Sequence, residues 1–161
     1  MSAQEPVREA QARQRAALFI DRRYSYRARI ADFTELTKPR ITLLVLITTL
    51  VGFYMGSRDG LNFLLLLHTV VGTGLGAGGG SALNQYFERD LDARMVRTRN
   101  RPLPDGRLVP NEALIFASII SGFGIAYLVF FVNVLTGALG AATLTGYILV
   151  YTPLKTRTTL C

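Results

Sequence analysis

Three polar side chains in one short stretch have the types and spacing of a metal site. Asn84, Glu88 and Asp92 follow one another at intervals of four residues. On a helix of about 3.6 residues per turn, this spacing places one amide and two carboxylates along a single stripe. Two carboxylates on one face repel each other unless a cation lies between them. Mg²⁺ suits such a stripe, because it takes few protein carboxylates and completes its shell with water and phosphate oxygens.

Arginines follow the stripe directly in sequence. Arg94, Arg97 and Arg101 carry guanidinium groups, which bind phosphate in bidentate fashion. Carboxylates beside arginines, after an apolar segment, predict a Mg²⁺-bound diphosphate with a lipidic tail, a prenyl diphosphate. Asp90 lies nearly opposite Glu88 on the helix and is predicted to pair with a basic neighbour. The alternative for all these charges is a solvated face where a helix leaves the membrane.

Four long apolar blocks carry these residues. Half of the 161 residues are hydrophobic, and they are gathered into runs close to the about 20 residues that span a hydrocarbon core. The sequence therefore predicts an all-α, polytopic membrane helix bundle. Its four transmembrane helices are expected at roughly 41–57, 61–96, 111–132 and 134–152.

The basic residues indicate the orientation of these helices. With four spans, every one of the 18 Lys and Arg residues except Arg58 falls on one side of the membrane. The positive-inside rule makes that side cytoplasmic, so the net charge of +7 reflects topology and lipid attraction and does not indicate nucleic acid. Residues 1–37 are predicted to be a basic cytoplasmic tail and residues 38–161 the membrane domain. The tail lacks a secretory h-region and contains acidic residues, which favours a bacterial inner membrane over a mitochondrial one.

The second apolar block is rich in glycine. Gly74, Gly76 and Gly79 match a dinucleotide-binding pattern, but no strand precedes them, so close helix packing is the prediction. His68, near the outer end of this block, is expected to have a structural or interfacial role. Haem ligation is the alternative.

The stripe and its loop carry a recognisable pattern. Asn84 opens the run Asn-x-x-x-Glu-Arg-Asp-x-Asp, and Arg-Pro-Leu-Pro-x-Gly-Arg ends at Arg107. This pattern resembles the first signature of the UbiA-type intramembrane prenyltransferases, and it is most similar to their haem-farnesylating branch. Thr37–Arg40 and Tyr151–Lys155 also match that branch, so the resemblance extends from about residue 33 to the end of the sequence.

The resemblance implies transfer of a farnesyl group from farnesyl diphosphate to a vinyl group of haem B, with Mg²⁺ as the cofactor. It assigns catalysis and metal binding to Asn84, Glu88 and Asp92, and diphosphate binding to Arg97, Arg101 and Lys155.

One departure from the family pattern concerns the second half of the site. The family has about nine helices and a second acidic motif, whereas no acidic residue follows Glu112 here. We therefore expect four of nine helices and a chain that is inactive alone. Two alternatives are prenylation of a quinone precursor and a non-catalytic four-helix membrane protein for binding or assembly.

Overall fold

The computed structural model describes residues 26–57 and 60–151. These residues form five α-helices and one π-helical turn and contain no β-strand, which confirms the all-α prediction. The elements are α1 (Tyr26–Leu36), α2 (Pro39–Gly56), α3 (Phe63–Asp92), α4 (Pro110–Phe131), α5 (Val134–Gly146) and the π-helical turn Tyr147–Tyr151. Lys155, with most of the Tyr151–Lys155 motif, lies outside the described residues.

Prolines and capping asparagines mark the starts of α2, α3, α4 and α5. Pro39 and Pro110 occupy the first turns of α2 and α4, where a missing backbone N–H costs nothing. Asn62 and Asn133 precede α3 and α5, and each side chain accepts a hydrogen bond from a backbone N–H of the first turn. These signals are readable in the sequence, so the first three predicted spans agree with the structure to within about four residues at each end.

Within residues 26–57 and 60–151, three helices are long and apolar enough to cross a membrane: α2, α3 and α4. Large apolar side chains cover their outer surfaces, as expected for helices that face lipid. The fourth apolar helix is shorter: the 13 residues of α5 extend about 20 Å, whereas a hydrocarbon core is about 30 Å thick. The chain continues helically to Tyr151, where the described residues end, so the fourth span stays a prediction.

Glycines bring α3 and α4 into close contact. A Cβ atom added at Gly79 would lie 2.6 Å from the backbone nitrogen of Ser121. One added at Gly124 would lie 2.6 Å from the backbone nitrogen of Gly76. Only glycine permits backbones to approach this closely, so the predicted packing role of the glycine-rich segment is confirmed.

The tightest core lies at one end of the bundle, where α1 meets the C-terminal half of α3, the loop 93–109 and the start of α4. We call this region the charged end, and the loop 93–109 the basic loop. Its buried apolar residues form one cluster: Leu36, Ala82, Leu83, Leu103, Leu108, Ala113 and Ala117. Part of the predicted N-terminal tail is thus a helix docked onto the bundle.

Candidate functional site

The three residues of the predicted stripe lie on one face of α3, at its charged end. Asn84, Glu88 and Asp92 are between 2% and 4% exposed, although two of them are acidic. Asn84 Nδ2 donates a 3.0 Å hydrogen bond to Glu88 Oε2. Carboxylates are rarely buried without a cationic partner or a metal, so the alternative of a solvated charged face is wrong for this stripe.

Asp92 receives its counter-charge from the basic loop. Arg101 Nη1 donates a 2.5 Å hydrogen bond to Asp92 Oδ2, and the Arg101 side chain is 26% exposed. Thr98, which is also buried, donates its hydroxyl to the backbone oxygen of Asp92 at 2.9 Å. The loop therefore folds back onto the last turn of α3 and presents a guanidinium to the stripe.

The other predicted residues have different surroundings. Arg97 is exposed, and its side chain makes no hydrogen bond or ion pair with the described residues. The Asp90 side chain is 83% exposed, and its Oδ1 lies 3.6 Å from Arg89 Nε. This contact agrees with the prediction that Asp90 pairs with a basic neighbour. The structure thus brings Arg101 to the stripe and leaves Arg97 at the surface.

An apolar cavity of about 480 Å³ lies beside the stripe, between α2, α3, α4 and α5. This volume falls within the about 300–1,000 Å³ of small-molecule pockets. From α3 it is lined by small side chains at helical spacing: Thr73, Gly76, Ala77, Gly80 and Ser81. Asn84 lies four residues beyond Gly80, so the face of α3 that lines the cavity continues directly into the stripe. A ligand with an apolar tail in the cavity would present its head group to the carboxylates.

The donor atoms of the stripe fit one side of a site for a hard divalent cation. Two carboxylates and one amide offer oxygen ligands of the kind that such cations take. Across residues 26–57 and 60–151, however, no three His, Cys, Asp or Glu side chains are grouped to hold a metal ion. The stripe by itself therefore offers only part of a metal site, and a cation bound there would need further ligands from substrate, water or other residues.

Sequence reasoning missed the role of Arg107. Its side chain, only 11% exposed, bonds carboxylates of α1 and of the basic loop together with one backbone carbonyl. These acceptors are Asp32 Oδ1, Glu35 Oε2 at 3.2 Å, Asp105 Oδ2 at 3.1 Å and the Asn100 oxygen at 2.7 Å. Burial alone would lower the pKa of Arg107, but the hydrogen bond that Arg107 donates to Glu35 and the surrounding negative charges outweigh it and raise the pKa above its usual value. Arg107 therefore stays charged at every pH used for assays.

Gln85 is a second residue that the sequence did not single out. Its Nε2 donates a 2.8 Å hydrogen bond to the backbone oxygen of Leu36, the last residue of α1. That carbonyl belongs to a helix end, where intrahelical partners run out. Because Gln85 adjoins Asn84 on α3, this bond fixes the end of α1 beside the stripe. No local signal in the sequence could have found it, because its partner lies 49 residues away.

His68 lies far from the stripe in an aromatic group. Its Nδ1 is 2.7 Å from the Tyr127 hydroxyl, and its ring stacks on Phe131 with centroids 5.0 Å apart. These contacts join α3 to α4. They are consistent with the structural role that was predicted for His68.

A buried acidic stripe that continues the cavity-lining face of a long apolar helix is typical of membrane proteins that take an apolar ligand with a charged head group. Comparison with known proteins specifies the class. The model of the "UbiA prenyltransferase family" matches residues 45–161. The chain belongs to this family, whose enzymes generally use divalent metal ions.

The relatives carry one name. Protoheme IX farnesyltransferase of Solibacter usitatus is 46% identical over 136 residues, covering 79% of this chain and 47% of that protein. Protoheme IX farnesyltransferase 1 of Pseudomonas putida (strain GB-1) is 42% identical over 144 residues, covering 89% of this chain and 47% of that protein. The chain therefore spans about half the length of the curated relatives that it matches. No solved structure matches it.

Proposed function

We propose that the whole protein transfers a farnesyl group from farnesyl diphosphate to a vinyl group of haem B. The observation that carries this proposal is the continuous face of α3, which lines an apolar cavity and then presents the carboxylate stripe. A prenyl diphosphate has the matching shape, an apolar chain with a polyanionic head. The names of the relatives, protoheme IX farnesyltransferase, supply the acceptor.

In this proposal the residues of the chain bind and orient the donor. The small side chains of α3 leave room for the farnesyl chain, and the apolar lining of the cavity favours that chain over water. Asn84, Glu88 and Asp92 hold a divalent cation, which we infer to be Mg²⁺, against the diphosphate. When bound, that cation neutralises the negative charge that develops on the departing diphosphate. Arg101 changes partner from Asp92 to a phosphate oxygen, and Arg97 contacts the diphosphate from the surface side. Lys155 is proposed as a further diphosphate-binding residue.

The reaction breaks the allylic C–O bond of the donor. The leaving diphosphate takes the electron pair, and the terminal vinyl carbon of haem B forms a C–C bond with the farnesyl group. Water then adds to the other vinyl carbon and loses a proton, which gives the hydroxyethylfarnesyl side chain of haem O. The chain contributes mainly preorganised electrostatic stabilisation of the leaving group, which is commonly the largest catalytic term.

The charged end is proposed to face the cytoplasm of a bacterial inner membrane. It carries the stripe, the basic loop and α1, and within residues 26–57 and 60–151 the basic residues lie on these elements or next to them in sequence. Farnesyl diphosphate would then reach the stripe from the aqueous side while its tail enters the bilayer.

Incubation of the membrane-embedded whole protein with farnesyl diphosphate and Mg²⁺ tests this function. Haem B and an aromatic quinone precursor are supplied in separate reactions, and the products are identified by mass spectrometry. The proposal is supported if haem B is the only acceptor that is prenylated, giving haem O, and if addition of EDTA stops the reaction. If a prenylated quinone precursor is the sole product, the acceptor is a quinone precursor and not haem B. No prenyl transfer to either acceptor, while the donor still binds, would favour a binding protein.

A further inference from the structure

Arg107 lies outside the stripe, yet it connects the basic loop to α1. Its guanidinium reaches Asp32 and Glu35 on α1 and Asp105 in its own loop. Asp32 is itself 5% exposed. A buried guanidinium with several acceptors is costly to replace, because any lost partner leaves a buried charge unpaired.

The bonds of Arg107 bracket Arg101 on both sides. Before Arg101, Arg107 Nη2 donates to the backbone oxygen of Asn100. After it, Arg107 Nε donates to the carboxylate of Asp105, whose backbone N–H donates a 3.0 Å hydrogen bond to the Arg101 oxygen. The backbone from which the Arg101 side chain extends to Asp92 is therefore held at two points by one side chain.

We propose that Arg107 is a positioning residue that fixes Arg101 against the stripe and couples this position to α1. The expected change in KM rests on the proposed function, whereas the fixed position of Arg101 does not. Only a guanidinium can serve this set of acceptors, because it offers several donors in a fixed plane, whereas an ammonium is a point donor on a flexible stem.

A double-mutant cycle tests whether Arg107 acts through Arg101. In the whole protein, Arg107→Gln and Arg101→Gln are each expected to raise the KM for farnesyl diphosphate roughly tenfold, with a smaller effect on kcat. The double variant should resemble Arg101→Gln alone, because residues that share one task have non-additive effects. Fully additive effects on KM would overturn the proposal. Arg107→Lys is expected to be intermediate, since it keeps the charge and loses the simultaneous contacts.

Hydrogen exchange provides a readout that does not depend on turnover. Arg107→Gln should speed exchange at the amides of Arg101 and Asp105 by roughly tenfold or more, because both lie in the turns that Arg107 holds. Asp32→Asn should speed exchange at the same amides to a lesser degree. This variant replaces Arg107→Gln in the test if Arg107→Gln does not fold. Unchanged protection in both variants would refute the positioning role even if farnesyl transfer is established. If exchange increases but the protein carries out no farnesyl transfer, the positioning role of Arg107 stands and the proposed function fails.

The matched control is Arg99→Gln. Arg99 is an exposed arginine of the same loop whose side chain makes no polar contact with the described residues. Both its KM and its loop exchange should equal those of the unmodified protein. A change as large as that in Arg107→Gln would attribute the effect to loop charge in general and would overturn the proposal.

Discussion

Arg101 donates a 2.5 Å hydrogen bond to the carboxylate of Asp92, nine residues earlier in the chain. The pair joins the end of α3 to the basic loop and places a cation beside the stripe. The same guanidinium can pair with a carboxylate or with a phosphate oxygen, because it presents a planar fork of donors to either. In the proposed function, Asp92 and Arg101 would separate when a metal ion and a diphosphate bind together.

Removal of a stripe carboxylate should strongly slow prenyl transfer. Glu88→Gln and Asp92→Asn keep the size of each side chain and remove its charge, so we expect kcat to fall by about 10²-fold or more, as when one electrostatic group of an active site is lost. The measurement is farnesyl transfer with saturating Mg²⁺. Asp90→Asn is the control, because Asp90 is exposed on the opposite side of α3, and its rate should be nearly normal. Near-normal turnover of Glu88→Gln would remove the stripe from the mechanism.

The two arginines predicted to bind phosphate should differ in importance. Arg101→Gln is expected to raise the KM for farnesyl diphosphate roughly tenfold, because Arg101 already lies at the stripe. Arg97→Gln should raise it only a few-fold, since Arg97 is exposed and its charge is screened by solvent and salt. Steady-state kinetics at two salt concentrations separates them. An equal or larger effect of Arg97 would mean that the loop rearranges when substrate binds.

A larger side chain at Gly76 should shorten the prenyl chain that the protein accepts. A Cβ atom at Gly76 meets no atom within 4 Å, and Gly76 lines the cavity, so a leucine side chain there is expected to extend into the cavity. We expect farnesyl diphosphate to be used poorly and geranyl diphosphate, one isoprene unit shorter, to be affected less. A competition assay that contains both donors measures the ratio in which the protein uses them. Gly122→Leu is the control: its Cβ also meets no atom, but it does not line the cavity. An unchanged donor preference in Gly76→Leu would place the prenyl chain elsewhere.

Substitution of Gly79 should weaken the bundle itself. A methyl group there would lie 2.6 Å from the Ser121 nitrogen, which is backbone and cannot rotate away. Gly79→Ala is therefore expected to cost about 1–3 kcal/mol, as overpacking typically does. Thermal unfolding in detergent measures the loss. Gly52→Ala, on a face of α2 where Cβ meets no atom, should leave the melting temperature unchanged or slightly raised. Equal stability of the two variants would mean that α3 and α4 separate easily.

Local patterns made much of the fold and the stripe predictable. Long apolar runs must be helical in lipid, since every backbone polar group needs a partner within its own segment. Pro39, Pro110 and the two capping asparagines mark helix starts by chemistry that acts within one turn. Asp105-Gly106 is a turn signal of the same local kind, and Gly106 adopts a φ of 73°, which favours glycine. The four-residue period placed Asn84, Glu88 and Asp92 on one face for the same reason.

What the sequence determined by itself is therefore the helices α2, α3 and α4 and the stripe at the end of α3. Each of these depends on neighbours within about one or two helical turns. Only the tertiary structure decided which arginine reaches the stripe and what holds it there. Asp32 lies 75 residues from Arg107, and Leu36 lies 49 residues from Gln85. Contacts over such separations arise when α1 packs back onto the charged end, and they leave no periodic signal in the chain.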